Sequence, residues 1–239
     1  YWKDYLDKLS GLTWNDLSFF DLEFLFYHGL NSIAGYFDSG LDVFWPTRQR
    51  ALSEAMPVLD SGLAKILELS GVDLLSATIR GALFANEADY SQLITSRSDS
   101  TLWNDRVLLD ESTTFITCLE QHSGQGDIHI IADNAGHELC WDLVMVDALL
   151  RVFNTIQVII HVKPWPMFVS DALSLDVEET LNRFMNKNLS DSICLVVQRL
   201  RTAIDRDRLQ IQAEVDWCEP RHFTALDKPF VNTLRNSIG

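Results

Sequence analysis

Ile128–Leu150, IHIIADNAGHELCWDLVMVDALL, passes from a short β-branched run through a polar turn into a long apolar segment. Ile128, Ile130 and Ile131 lie between Gly126-Asp127 and Asn134-Ala135-Gly136, the pattern of a buried strand that ends in a tight turn. From Glu138 onward, Leu139, Leu143, Val144, Val146, Leu149 and Leu150 fit a helix that is apolar on most faces. Strand, turn and helix in that order point to an open α/β sheet, in which ligands sit beyond the carboxyl ends of the strands. Asp133, Asn134 and Glu138 occupy that place, and oxygen donors on a rigid turn suit a divalent cation. Asp133 to Gly136 also read as a plain helix cap with one residue that tolerates positive φ.

A second apolar run, Thr155–Lys163 (TIQVIIHVK), ends in the loop Pro164-Trp165-Pro166-Met167-Phe168-Val169-Ser170-Asp171. As the next strand it brings Asp133, Asn134, Lys163 and Asp171 to one sheet edge. Two carboxylates, an amide oxygen and an ammonium can together hold a metal and a phosphate. Strands expected at 106–109, 127–132 and 155–162, with helices between them, imply right-handed crossovers and a mostly parallel sheet. The fold class is therefore α/β, a Rossmann-like α-β-α sandwich. It has no G-x-G-x-x-G and so no dinucleotide signature. Further on, helices are expected from Ser174 or Asp176 to Met185 and over Ser192–Asp205, with Arg199, Arg201, Arg206 and Arg208 as a solvated face. Leu209–Val215 alternates apolar and polar residues, as a half-buried strand near an edge does.

Toward the N-terminus the periodicity is helical. Trp2, Tyr5, Leu6 and Leu9 recur at helical spacing, and Asn15 or Ser18 can cap a helix bearing Phe19, Phe20, Leu22, Phe24, Leu25, Phe26 and Leu30. A helix from near Thr47 is expected to end or kink at Pro57, with Arg48 and Arg50 as solvated charges. Leu63–Leu69 and Val72–Leu83 read as two more helical segments, and the Ser-rich Thr95–Ser100 as a surface loop. The expected division is a helical subdomain over 1–100 and a Rossmann-like, metal-binding α/β domain over 101–239.

The 239 residues carry a formal charge of −15, which excludes nonspecific binding to nucleic acid because that needs a basic surface. Hydrophobic residues make up 47% and charged ones 22%, so the chain can bury a core and is not disordered as a whole. The four cysteines are widely spaced and read as reduced core thiols. No apolar run approaches a membrane span and no leader is visible, so the cytoplasm is the expected compartment. His28, His122, His129, His161 and His222 show no paired ligand spacing, and His137 fits a packing or surface role. A zinc site is not expected.

The D-N-A-G-x-E-L turn at Asp133–Leu139, with Asp142 and Asp147 further along its helix, is followed by H-V-K-x-x-P-x-F-V-S-D at His161–Asp171. These two blocks resemble the metal-dependent damage-control phosphatases, known as domain of unknown function 89, and most nearly their acidic residue methyltransferase-like, sugar phosphate phosphatase branch. Phe84–Ser91, Val107–Glu111 and Asp216–Pro220 are weaker echoes. The resemblance implies a metal on Asp133, Asn134 and Asp171, a catalytic Asp133, and Glu138 as the base or water-orienting group. Lys163 would neutralise a phosphate oxygen, and Asn86, Asp133 and Asn134 would face the substrate. It further implies hydrolysis of small sugar phosphates such as fructose 1-phosphate. The oxygen-only donors suit Mg or Mn, with Co or Ni also able to serve.

Two alternatives accompany it. Methylation of protein carboxyls by S-adenosylmethionine is raised by the same resemblance but lacks a glycine-rich turn after the strands. A non-catalytic metal-binding remnant is the other, because the K-G-D-x-N-Y-R and R-T-x-K segments of relatives are not found. Tyr1 without a Met and an end at Ile238-Gly239 lead us to expect a fragment of a longer protein.

Overall fold

The structure is a computed structural model that describes residues 2–85, 107–122, 126–186, 189–222, 225–226 and 228–237. In chain order its helices before the sheet are α1 (Trp2–Leu9), α2 (Phe19–Ala34), α3 (Tyr36–Ser39), α4 (Trp45–Leu67), α5 (Gly71–Phe84) and α6 (Ser112–His122). Then come β1 (Asp127–Ile131), α7 (His137–Val152), β2 (Gln157–Val162), α8 (Ser174–Phe184), α9 (Asp191–Asp205), β3 (Leu209–Ala213) and α10 (Lys228–Arg235). The sheet order is β1-β2-β3 and both pairings are parallel, as the α/β expectation requires. β2 is central and its Val158, Ile159, Ile160, His161 and Val162 are all buried, whereas β1 and β3 bury fewer residues.

The helix α7 is the spine of the core. Leu139, Cys140, Trp141, Leu143, Val144, Val146, Ala148 and Leu149 are each no more than 2% exposed, because apolar residues occupy nearly every face of the helix. Around it, Leu52, Leu59 and Leu63 of α4, Leu74 and Leu75 of α5, and Val196 and Val197 of α9 join one continuous hydrophobic cluster. A smaller cluster of Phe24, Met167 and Cys218, with Trp2, Trp165 and Phe168 against it, fixes the loop after β2. The helical N-terminal segments thus share a core with the sheet. The boundary expected at residue 100 lies outside the described residues. Among those described, no helix is long and apolar enough to cross a membrane.

Three local expectations need correction. Residues 107–109 form no strand, and Leu108 and Leu109 face solvent. Asp110 accepts the Ser112 amide at 3.0 Å and a bond from Arg80 at 2.7 Å, so the chain turns there into α6 instead of extending. Second, α4 does not end at Pro57 but continues through it to Leu67. The Ser53 carbonyl that loses its helical donor lies, like Pro57, on an exposed face where water can replace it. Third, β3 stops at Ala213 and the chain enters a short 3-10 turn over Val215–Cys218.

Arg50 and Arg206 are exposed as expected, but several other arginines depart from the expected solvated faces. Arg48 is 1% exposed; its Nε lies 3.0 Å from both Asp176 oxygens, and its Nη2 is 2.5 Å from Asp42 Oδ2. Asp42 accepts the Phe44 and Trp45 amides at the start of α4, and Asp176 accepts the Leu173 amide at the start of α8. One guanidinium therefore joins the entries of two helices. Arg199 forms a bidentate pair with the buried Asp147, both bonds 2.6 Å, and Arg208 donates to the carbonyls of Leu150, Phe153 and Ile156. Arg201 pairs with Glu178 at 2.8 Å.

Candidate active site

The two strand ends are laced together by backbone. The Ala132 amide donates to the His161 carbonyl, the Ala172 amide to that of Asp133, and the Ala135 amide to that of Ser170. An antiparallel bridge between Asn134 and Asp171 results, and a parallel bridge joins Lys163 to Leu173. The loop between them is anchored by α2, whose buried Asn31 donates through Nδ2 to the Pro166 carbonyl at 2.5 Å, while Phe24 meets Phe168 edge to face.

Gly136 makes the turn possible. Its φ of +82° is a conformation side chains rarely adopt, and a Cβ there would lie 2.8 Å from the Ala51 Cβ of α4. Gly136→Ala is expected to lower stability by at least about 2 kcal/mol, combining backbone strain with overpacking. Chemical denaturation measures this, and an unchanged midpoint would show that the turn and α4 can part without cost.

On this frame the side chains converge. Lys163 Nζ donates to Asp133 Oδ1 at 2.8 Å and to Asp171 Oδ1 at 2.6 Å, so those two carboxylate oxygens share one ammonium. The other Asp171 oxygen accepts the Phe168 amide at 2.6 Å. Asn134 Nδ2 lies 3.0 and 3.1 Å from the Glu138 oxygens and 3.3 Å from Asp133 Oδ2, while Asn134 Oδ1 accepts from the Ser170 hydroxyl at 2.5 Å. Asp133 is open to solvent at 69% side-chain exposure, whereas Asp171 is 2% exposed. Of the residues singled out in the sequence, Asp133, Asn134, Glu138, Lys163 and Asp171 thus meet in one place. Asn86 lies outside the described residues.

Electrostatics separate the acids. Burial raises the Glu138 pKa, with nearby Asp133 adding to it and Asn134 and Lys163 opposing. Burial likewise raises Asp171 despite the pull of Lys163. It works against the Lys163 ammonium, but Asp171 and Asp133 outweigh it and hold that pKa above its usual value. Asp142, to which the sequence reading gave no role, is pushed up to about 7 by burial and then by Glu138 and Asp133. Its signal was present in the sequence, since it follows Glu138 by four residues on the same helix face. A carboxyl that titrates near neutrality beside a second acid can store or release a proton.

The donor set fits a hard divalent cation in type, being carboxylate and amide oxygen only. In orientation, the Lys163 ammonium lies between Asp133 and Asp171, and the N–H side of Asn134 faces the acids. Turning that amide over would set its oxygen against Glu138 and Asp133, an arrangement that a bound cation stabilises. Among the described residues, no cluster of three or more His, Cys, Asp or Glu side chains is arranged to hold a metal.

Asp133 and Lys163 open onto a cavity of about 580 Å³ whose walls include Phe20, His161, Trp217 and Arg221. That volume suits a small molecule. Arg221 pairs with Asp216 at 3.2 Å and with Glu219, bringing a second cation to the cavity wall besides Lys163. His129 and His161 show no paired ligand spacing in the sequence, yet His129 Nδ1 and His161 Nε2 are 2.7 Å apart across β1 and β2. Burial holds the His161 pKa down at about 4, so the pair is neutral near pH 7. Parallel register on adjacent strands places both rings on one sheet face, a relation that spacing along the chain does not reveal.

The fold and these groups define an α/β protein with a lysine-centred, oxygen-rich site beyond the carboxyl ends of parallel strands. Residues 8–238 match the damage-control phosphatase ARMT1-like domain, and the chain belongs to that family. It is similar to damage-control phosphatase ARMT1 of Danio rerio, 35% identical over 89 residues, which are 34% of this chain and 20% of that protein. It is also similar to damage-control phosphatase ARMT1 of Xenopus tropicalis, 39% identical over 61 residues, or 26% of this chain and 14% of that one. The matched segments thus span a fifth or less of these relatives' lengths.

Proposed function

We propose that this chain hydrolyses phosphate monoesters of small sugars, fructose 1-phosphate among them, with a divalent cation held by Asp133, Asn134 and Asp171. The observation that carries the reading is the meeting of Lys163 with Asp133 and Asp171 at the mouth of the cavity. A bound Mg, Mn, Co or Ni ion would polarise the ester and lower the pKa of a bound water. Lys163 contributes a fixed positive charge for a phosphoryl oxygen, and its two carboxylates keep it protonated. Glu138, oriented by Asn134, receives the proton of the attacking water, and Asp142 one turn on is placed to share it. Asn86 is assigned to substrate contact by resemblance alone.

The test is phosphate release from a panel of sugar phosphates by metal-stripped protein resupplied with each ion. Release should require an added ion and should vanish in Asp133→Ala. Ion binding without turnover would favour the non-catalytic remnant, and turnover surviving Asp133→Ala would remove the assignment.

A further inference from the structure

A second cavity, of about 360 Å³, lies at the opposite end of the sheet, where β2 and β3 begin. Arg151, Arg199, Arg206 and Arg208 line it, and Asp147 is its one lining carboxylate. Two of these guanidiniums are fixed in place. Arg199 spends Nε and Nη2 on Asp147, and Arg208 spends Nε and Nη2 on the carbonyls of Leu150, Phe153 and Ile156. The Nη1 group of each makes no hydrogen bond to the described residues. Arg151 and Arg206 are exposed and form no ion pair among the described residues. Arg151 lies in the last turn of α7 and Arg206 at the C-cap of α9, where a cation suits the helix C-terminus, but no hydrogen bond or ion pair to the described residues holds either guanidinium.

Four guanidiniums around one cavity stand out in a chain whose formal charge is −15. Asp147 is already neutralised by Arg199, and Asp205 and Asp207, which flank Arg206, do not line the cavity. Gln198 adds a neutral amide donor to the wall, while the Thr202 hydroxyl donates to the Gln198 carbonyl at 2.8 Å. Guanidinium forks match phosphate oxygens in geometry, and pre-ordered ones lose less entropy on binding. The overall charge repels a long polyanion, and the concave shape suits a small one.

We infer that this cavity binds a small phosphorylated anion at a site separate from Asp133 and Lys163. The assignment is independent of the phosphatase reading. Titration calorimetry with inorganic pyrophosphate in metal-free buffer tests it, using the parent chain, Arg151→Ala/Arg206→Ala, Arg151→Lys/Arg206→Lys and Lys163→Ala. Binding should weaken at least about tenfold in the double alanine variant, be restored only in part by the double lysine variant, which keeps the charges without the forks, and persist in Lys163→Ala. Both arginines are exposed and form no ion pair among the described residues, so their removal should shift the melting temperature of the free protein by only a few degrees. No binding by the parent chain overturns the inference. So does binding that is lost with Lys163 and retained without Arg151 and Arg206, since the anion would then occupy the site at Asp133.

Discussion

Asp171→Asn is expected to reduce phosphate release by at least about 100-fold, the usual scale for removing one preorganised charge from a reacting centre. Both oxygens of Asp171 have a fixed donor, Lys163 Nζ on one and the Phe168 amide on the other. Asparagine has one oxygen, so it can serve only one of them. The loss of charge also removes the larger of the two influences that keep Lys163 protonated against burial, leaving the exposed Asp133 to do so alone. On the proposed reading, the variant therefore weakens the cation's seat and the ammonium together. The effect should fall on kcat at saturating substrate and metal, with Glu138→Gln costing less than Asp133→Asn or Asp171→Asn. Near-normal melting by circular dichroism would separate lost chemistry from lost folding. An Asp171→Asn protein that keeps more than a tenth of the parent rate would contradict the proposed placement of the cation and the proposed role of Lys163.

The meeting of these five side chains was legible in the sequence for a definite reason. Each polar turn follows an apolar, β-branched run, and consecutive parallel strands put both turns at the same end of a sheet. The apolar period of His137–Val152 similarly marked α7 as the central helix. What escaped were properties set by partners distant along the chain. Arg48 and Arg199 sit at ordinary helix positions, and nothing nearby in sequence says that Asp176 and Asp147 will pair with them. Leu108 and Leu109 look like strand residues until Asp110 takes the Ser112 amide. Pro57 looks like a helix stop until Ser53 is seen to face water. The far cavity wall of Trp217 and Arg221 depends on how the chain returns after β3, and a 3-10 turn has no strong periodic signal.

The largest loss of stability is expected from Arg48→Ala, about 3–5 kcal/mol, the range found when one partner of a buried ion pair is removed. For a chain of this size that corresponds to a fall in melting temperature of about 6–20 °C. Among the described residues, Arg48 is the only cation placed against Asp176. Burial already raises the Asp176 pKa even with Arg48 present. Without it, folding requires Asp176 either to stay charged in an apolar setting or to take up a proton. The sign of the pH dependence follows. A folded-state pKa above the unfolded one favours the folded state at low pH and costs stability as pH rises through it, so the deficit of Arg48→Ala should be largest at neutral pH and shrink toward pH 4. Removing the carboxylate as well should recover part of the loss, because Arg48→Met/Asp176→Leu replaces a stranded charge with apolar contact. Thermal melts of the parent, the single variant and the double variant at two pH values read all three effects. A single variant that melts within about 2 °C of the parent, corresponding to less than about 1 kcal/mol, would mean that Arg48 does not bind α4 to α8 as its contacts with Asp42 and Asp176 indicate.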